Sequence, residues 1–266
     1  MKKDYSIADV APYINWLYFF HAWGMSGKPD APKQQLKDEA LAMLEKYADA
    51  YSTHAVVMLF EANGDGDDIL LHTPGGERRL PMLRQQHALP SLCLADFLRP
   101  LSSGVTDRVA LFAASADRGM ETDFDGDPYA KMMMQLLADR LAEATAERLH
   151  EEVRKSLWGY AAGEQLTIAD MLQERFVGIR PAVGYPSLPD TSLNFLLDDL
   201  LDMRQIGIRL TGSGAMRPHA SVSGLMMAHP QARYFDIGTI GEDQLADYAQ
   251  RRGVPVALMR KFMRTT

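Results

Sequence analysis

The chain has 266 residues, and 28 Lys and Arg against 35 Asp and Glu leave a formal charge of -7. At 47% hydrophobic and 24% charged it is ordinary globular material with apolar content for a sizeable core. The acidic balance argues against a non-specific nucleic-acid binder, whose affinity comes from neutralising phosphates. A single cysteine, Cys93, excludes an internal disulfide framework and a multi-cysteine zinc site. Asp4, Asp9 and Pro12 interrupt anything like a signal segment after Lys2 and Lys3, and no run of about 18 apolar residues is present to span a membrane. The expectation is a cytoplasmic protein with no nucleic-acid or membrane partner.

In chain order, Ser6-Ile7-Ala8-Asp9 is a capping-box helix start, followed by an aromatic cluster of Tyr13, Trp16, Tyr18, Phe19, Phe20 and Trp23. Leu36, Ala40, Met43, Tyr47 and Tyr51 fall at helical steps. Ala55 to Phe60 reads as a buried strand, Asn63 to Asp67 as a turn, and Ile69 to His72 as its hairpin partner. Arg108 to Ala113 is a further buried strand. Asp127-Pro128 opens the longest helical pattern, reaching about Leu157, with Met133, Leu137, Leu141, Ala144 and Val153 on its apolar face. Another helix starts at Thr167-Ile168-Ala169-Asp170, and Gly178 to Pro189 is a glycine- and proline-rich loop. Leu193, Leu197 and Leu200 mark a helix, and Ile206, Ile208 and Leu210 alternate like a half-buried strand. Strands are expected around Ala220 to Ala228 and Tyr234 to Ile240, then a helix through Leu245, Tyr248 and Ala249 ending at Gly253, and a short one from Pro255. With no repeat, linker or regular βαβ alternation, residues 1–266 are expected to form a single α+β domain with a mainly antiparallel sheet.

Several motifs fail. Asn63 to Asp67 begins like a calcium loop, but Asp68 stands where glycine is needed and Pro74 where glutamate is; Asp123, Asp125 and Asp127 fail likewise, so both are read as acidic turns. Arg154 replaces the second histidine of a zincin motif begun by His150-Glu151, and Gly212-Ser213-Gly214 lacks a third glycine at dinucleotide-binding spacing. The scattered histidines read as structural or exposed. Late basic residues, Arg251, Arg252, Arg260, Lys261 and Arg264, read as a solvated helix face, with a docking patch for an acidic partner as the alternative.

Three segments together suggest recognition of a zwitterionic, aromatic ligand. Arg180-Pro181-Ala182-Val183-Gly184-Tyr185-Pro186 offers a planar fork for a carboxylate, a stiffened loop and an aromatic face. His229-Pro230 through Arg233-Tyr234-Phe235 is a turn entering an aromatic segment. Glu143 stands on the long helix in line with Asp139, Glu147 and Glu151. Spacing alone favours a rigid loop and a solvated stripe.

The pattern Arg180-x-x-x-Gly184-Tyr185, with Ala220-Ser221-Val222-Ser223-Gly224 and His229-Pro230, resembles the activation domain of cobalamin-dependent methionine synthase. The likeness extends in order through Phe19-Phe20, Trp23, Gly27-Lys28, Gly66-Asp67-Asp68-Ile69, Cys93-Leu94-Ala95-Asp96-Phe97, Ala138 to Ala144 and Trp158-Gly159-Tyr160. It implies a C-shaped α+β domain with a twisted antiparallel sheet and flanking helices. It also implies an S-adenosylmethionine site in which Arg180 takes the ligand carboxylate. Ala182, Gly184 and Tyr185 would frame the ligand, Tyr234 and Phe235 contact it, and Glu143 and Asn15 complete the set. In such a family the domain presents S-adenosylmethionine to cob(II)alamin while flavodoxin or an equivalent reductase supplies an electron.

Two departures stand out. The family has aspartate where this chain has Asn15, in Tyr13-Ile14-Asn15-Trp16, and losing that charge is expected to weaken binding by roughly 1–2 kcal/mol. Met216-Arg217-Pro218-His219 replaces the usual Met-Trp-Pro-Gly. The chain opens at Met1 and has neither an Asp-x-His-x-x-Gly cobalamin motif nor zinc-binding cysteines. The resemblance therefore implies a free-standing module acting in trans on a methionine synthase core or another corrinoid protein, which holds the cobalamin. The alternatives are a binding or sensing module that kept the fold and lost reactivation, and a fragment excised from a full-length synthase.

Overall fold

The computed structural model describes residues 1–263. The chain runs β1 (Lys2–Ser6), α1 (Ile7–Val10), α2 (Trp16–Ala22), α3 (Asp30–Lys46), β2 (Ser52–Asp65), β3 (Asp68–Thr73), β4 (Gly76–Pro81) and β5 (Asp107–Ala116). It continues through α4 (Gly119–Thr122), α5 (Pro128–Glu152), α6 (Ile168–Leu172), α7 (Leu193–Leu201), β6 (Arg209–Leu210), β7 (Met216–Arg217), β8 (Ser221–Met226), α8 (Glu242–Arg252) and α9 (Val256–Phe262). The main sheet has the order β4-β3-β2-β5-β8, with β1 also on β2, and every pairing is antiparallel. The expected α+β class with an antiparallel sheet is what the chain adopts.

The central strands are apolar on both parities because both sheet faces are covered. Ala55, Val57, Ala110, Phe112 and Ala114 face a core shared with α5, whereas Val56, Val109, Leu111 and Ala113 face a second core built with α7. A third, smaller cluster ties Leu83 and Ile237 to α8 and α9. Helix α5 starts where expected: the Asp127 carboxylate accepts from the N–H groups of Tyr129 and Ala130, both at 3.0 Å, and Pro128 occupies the first turn. It is α-helical only to Glu152, and Val153–Leu157 form a π turn. The capping boxes at Ser6 and Thr167 are formed.

Other expectations change. Strands β1 and β4 carry no clean alternation; β4 is a charged edge, Gly-Glu-Arg-Arg-Leu-Pro, which protects an open ladder. The alternation at Ile206 to Leu210 shrinks to the two residues of β6, preceded by a 3-10 turn. Tyr234 to Ile240 is no strand, since no neighbouring strand pairs with it. The late basic residues are not all a solvated face. Arg252 is held by Asp190 at 3.2 Å, Arg251 by Asp68 and Asp247, and Arg260 by Glu242. Arg264 lies outside the described residues. The turn expected over Asn63 to Asp67 shrinks to Gly66 and Asp67, with Asn63–Asp65 in β2, and its acids are likewise matched by arginines, Arg79 on Asp65 and Arg84 on Asp67.

At the C-terminal end of α5 lies a buried polar cluster. Arg154, fully buried, donates three hydrogen bonds of 2.7–3.0 Å to Glu164 and stacks on Phe176. His150, also fully buried, packs edge-on to Phe176, with Nε2 3.3 Å from the Tyr160 hydroxyl. Burial first, then the charges of Arg154 and Arg180, hold its pKa well below the ordinary histidine value. A neutral buried histidine contributes stability that is complete above the unfolded-state pKa, about 6.5, and is lost as pH falls below it, by at most about 1.4 kcal/mol per pH unit. Denaturant titrations at pH 7.5 and 5.0 are expected to show a smaller acid loss for His150→Gln than for wild type. An equal loss in both would remove His150 as the cause.

Candidate functional site

The Gly178 to Pro189 stretch, expected to be a loop, is in part an irregular edge strand laid on β8. Ile179 exchanges both backbone hydrogen bonds with Met227, at 3.0 and 2.9 Å. The Pro181 carbonyl accepts from Leu225 at 3.0 Å, and Val183 donates to Ser223 at 2.9 Å. Pro181 has no N–H to give, which an edge position tolerates. The approach is close because β8 carries glycine there: a Cβ on Gly224 would lie 2.1 Å from the Pro181 carbonyl oxygen. This seam fixes the backbone of Arg180 and turns its side chain under α5.

Between this edge and α5 lies a cleft of about 570 Å³. Arg140, Glu143, Ala144 and Glu147 of α5 form one wall, and Tyr13, Asn15 and Tyr18 come from the N-terminal turn and α2. Arg180, Pro181, Ala182 and Tyr185 form the opposite wall. Tyr234, Phe235 and Asp236, with Met171, Leu172 and Glu174, complete the lining.

Arg180 is the buried anchor, 8% exposed, with its guanidinium near the Phe112 ring. Its Nη2 donates to Glu147 in a short bond, and Nη1 stands 4.0 Å from Glu143. Burial works against its charge, but Glu147, with Tyr234 and Glu143, outweighs that and holds its pKa above the ordinary arginine value. Its Nε and the second carboxylate oxygen of Glu147 are buried without partners among the described residues. The Arg180 N–H donates to the Tyr234 hydroxyl at 2.9 Å, and burial keeps that phenol protonated beyond its usual range. Tyr185 donates to Glu143 at 2.7 Å; burial and then the Glu143 charge push its pKa up.

Seven of the eight sequence-derived residues therefore meet on this surface: Asn15, Glu143, Arg180, Ala182, Tyr185, Tyr234 and Phe235. Gly184 is not on the wall. At φ +88° it donates to the Leu188 carbonyl at 2.8 Å and turns Tyr185 toward α5. Asn15 has a structural duty that the sequence reading did not anticipate: its side-chain oxygen caps α2, accepting from Leu17 N–H at 3.1 Å.

Residues 6–253 match the family described as vitamin B12 dependent methionine synthase, activation domain. The chain belongs to the methionine synthase activation-domain family. A crystal structure of the MetH reactivation domain bound to AdoHcy superposes with a TM-score of 0.92 at 36% identity, over 98% of this chain and 88% of that one.

In this activation-domain chain, sequence reasoning missed the partner of Arg180. Glu147 was visible only as one member of an acidic row on α5, and nothing in its spacing distinguished it from Glu151. Glu151 instead accepts from Tyr13 at 2.5 Å and from Lys155 at 3.2 Å. Tyr13 and Tyr18 were visible as part of an aromatic cluster that otherwise packs inward, as Trp16 does edge-on to Phe19 at 5.3 Å. Glu174 carried no signal at all.

Proposed function

We propose that this chain binds S-adenosylmethionine in the cleft and supports reductive methylation of cob(II)alamin in trans. The partner would be a methionine synthase core or another corrinoid protein that itself holds the cobalamin, with flavodoxin or an equivalent reductase as electron donor. The observation that carries the reading is the Arg180–Glu147 pair, a guanidinium and a carboxylate on the cleft wall, each with one buried polar atom that has no partner among the described residues. A zwitterionic amino-acid end meets both demands: a carboxylate for Arg180 and an ammonium for the acidic side. Tyr185, Tyr234 and Phe235 offer flat apolar faces for an adenosyl group.

Bound S-adenosylmethionine supplies a sulfonium methyl group. The chain's own work is positional. Arg180, pinned at its backbone by Tyr234 and at its side chain by Glu147, orients one end of the ligand, and the Tyr185–Glu143 bond holds an aromatic wall at the cleft mouth. Cys93 offers no nucleophile to this chemistry: it is fully buried and its thiol is pushed up to about 12 by burial.

Mixing the chain, S-adenosylmethionine and a reductant with a core synthase in the cob(II)alamin state is expected to restore methylcobalamin. Ligand binding without recovery would leave the sensing module instead. Asn15→Asp tests the charge argument. A carboxylate caps α2 as well as an amide does, so stability is expected to hold, while S-adenosylmethionine affinity rises roughly fivefold to thirtyfold. Unchanged affinity by calorimetry would show that Asn15 is only a cap.

A further inference from the structure

Between β8 and α8 the chain forms neither helix nor strand over 228–241, yet this strap carries the cleft-lining residues Tyr234, Phe235 and Asp236. Ile237 is its one buried side chain, so packing alone holds it weakly. Among the described residues, four hydrogen bonds fasten 233–241 to the rest of the fold. Two come from the cleft's own wall. Arg180 N–H donates to the Tyr234 hydroxyl at 2.9 Å, and the Pro186 carbonyl accepts from Ile237 N–H at 3.1 Å. The other two come from side chains that line no part of the cleft. Gln85 Nε2 donates to the Asp236 carbonyl at 2.7 Å, and Gln86 Oε1 accepts from Gly241 N–H at 2.9 Å.

Gln85 is itself held in place. Its backbone N–H donates to the Leu92 carbonyl at 2.9 Å, and its side-chain Oε1 accepts from Leu92 N–H at 3.2 Å. With Oε1 so engaged, the amide nitrogen is the atom left to face Asp236. The preceding residue, Arg84, is gripped by Asp96 through two bonds of 2.6 and 2.7 Å and by Asp67 at 2.7 Å. None of these three residues lines the cleft. The clamp is therefore rooted in ion pairs of its own, and the strap it holds is the weaker of the two parts.

We infer that Gln85 is a positioning residue for ligand retention: through the Asp236 carbonyl it holds the strap against the cleft and so sets how slowly a bound ligand leaves. This rests on the reading of the cleft as a site for S-adenosyl ligands. Tyr234 and Phe235 present their rings to the cleft only while the backbone at Asp236 stays down. With that carbonyl released, the strap beside them keeps only the Tyr234 hydroxyl and the Ile237–Pro186 bond. Retention suffers more than capture, because an opened strap leaves the entrance clear but frees a ligand already seated.

The test is stopped-flow binding of S-adenosylhomocysteine to the full chain, a probe with no net charge, so that charges introduced at position 85 act on it weakly. Gln85→Glu keeps the acceptor for Leu92 N–H and sets a carboxylate against the Asp236 carbonyl. Gln85→Lys, the conservative variant here, keeps a donor for Asp236 and drops the bond to Leu92. Gln85→Glu is expected to release the ligand about threefold to tenfold faster with its on-rate within about twofold of wild type, and Gln85→Lys to restore slow release. Without ligand, amide hydrogen exchange is expected to quicken at Ile237 and Gly238 in Gln85→Glu alone. A residue that only stabilised its own loop would move both variants together, and that result overturns the inference. Unchanged release in Gln85→Glu also overturns it while leaving the proposed function standing. A wild-type chain that holds neither S-adenosylhomocysteine nor S-adenosylmethionine overturns both.

Discussion

An Arg180→Ala chain is expected to lose S-adenosylmethionine affinity by at least about a hundredfold, since charge-assisted pairing with a buried group is removed from the cleft. It is also expected to lose roughly 3–5 kcal/mol of stability, because the short bond to Glu147 is broken and a carboxylate is left with no counter-ion. The two losses can be separated. Arg180→Met with Glu147→Gln removes both charges at once and is expected to recover most of the stability while affinity stays lost. Arg180→Lys keeps a charge without the planar fork that serves Glu147 and a ligand together, and is expected to fall between. Thermal melts and calorimetry on the four proteins read both quantities. Near-wild-type affinity in the double variant would place the ligand anchor elsewhere.

Gly224→Ala is expected to cost roughly 2–4 kcal/mol and to weaken binding more than about tenfold. The added methyl would meet the Pro181 carbonyl oxygen at 2.1 Å and the Ala182 Cα at 2.9 Å, backbone atoms that can move only by lifting the edge segment off β8. Arg180 sits one residue from that contact, so its guanidinium moves with it. Gly212→Ala is the control, with nothing within 4 Å of its added carbon, and is expected to melt like wild type. If Gly224→Ala binds ligand normally, the seam is not what positions Arg180.

Local signals were readable where one segment carries its own explanation. The cap at Asp127 and the spacing from Met133 to Val153 gave α5, and the apolar runs gave β2 and β5. Readability failed where a residue's state depends on a distant partner. Tyr234 and Phe235 have strand-like side chains, yet they pack on Arg180 and Phe97 across the fold. Gly178 to Val183 look like loop because Pro181 and Gly178 break both periodicities, and only β8 makes them an edge. Residues Arg180, Gly184 and Tyr185 were found by resemblance, whereas Glu147 needed three-dimensional contact to stand apart from its row. Glu174 was hidden for another reason: nothing about a glutamate just past a short helix places it beside a cleft until the fold is known.

The alternation of β5 between two cores has an evolutionary consequence. Ala110, Phe112 and Ala114 share a face with the cleft wall, while Val109, Leu111 and Ala113 face α7. The α7 compartment also holds Ile179 and Val183, near Arg180, so substitutions beside them are expected to couple to the cleft, whereas those at Leu71 and Leu80, toward the opposite edge of the sheet, are expected to add without epistasis. A lineage can thus accumulate spare stability at one edge of the sheet and spend mutations at the other. Position 15 can then change its charge while the scaffold that presents it stays folded.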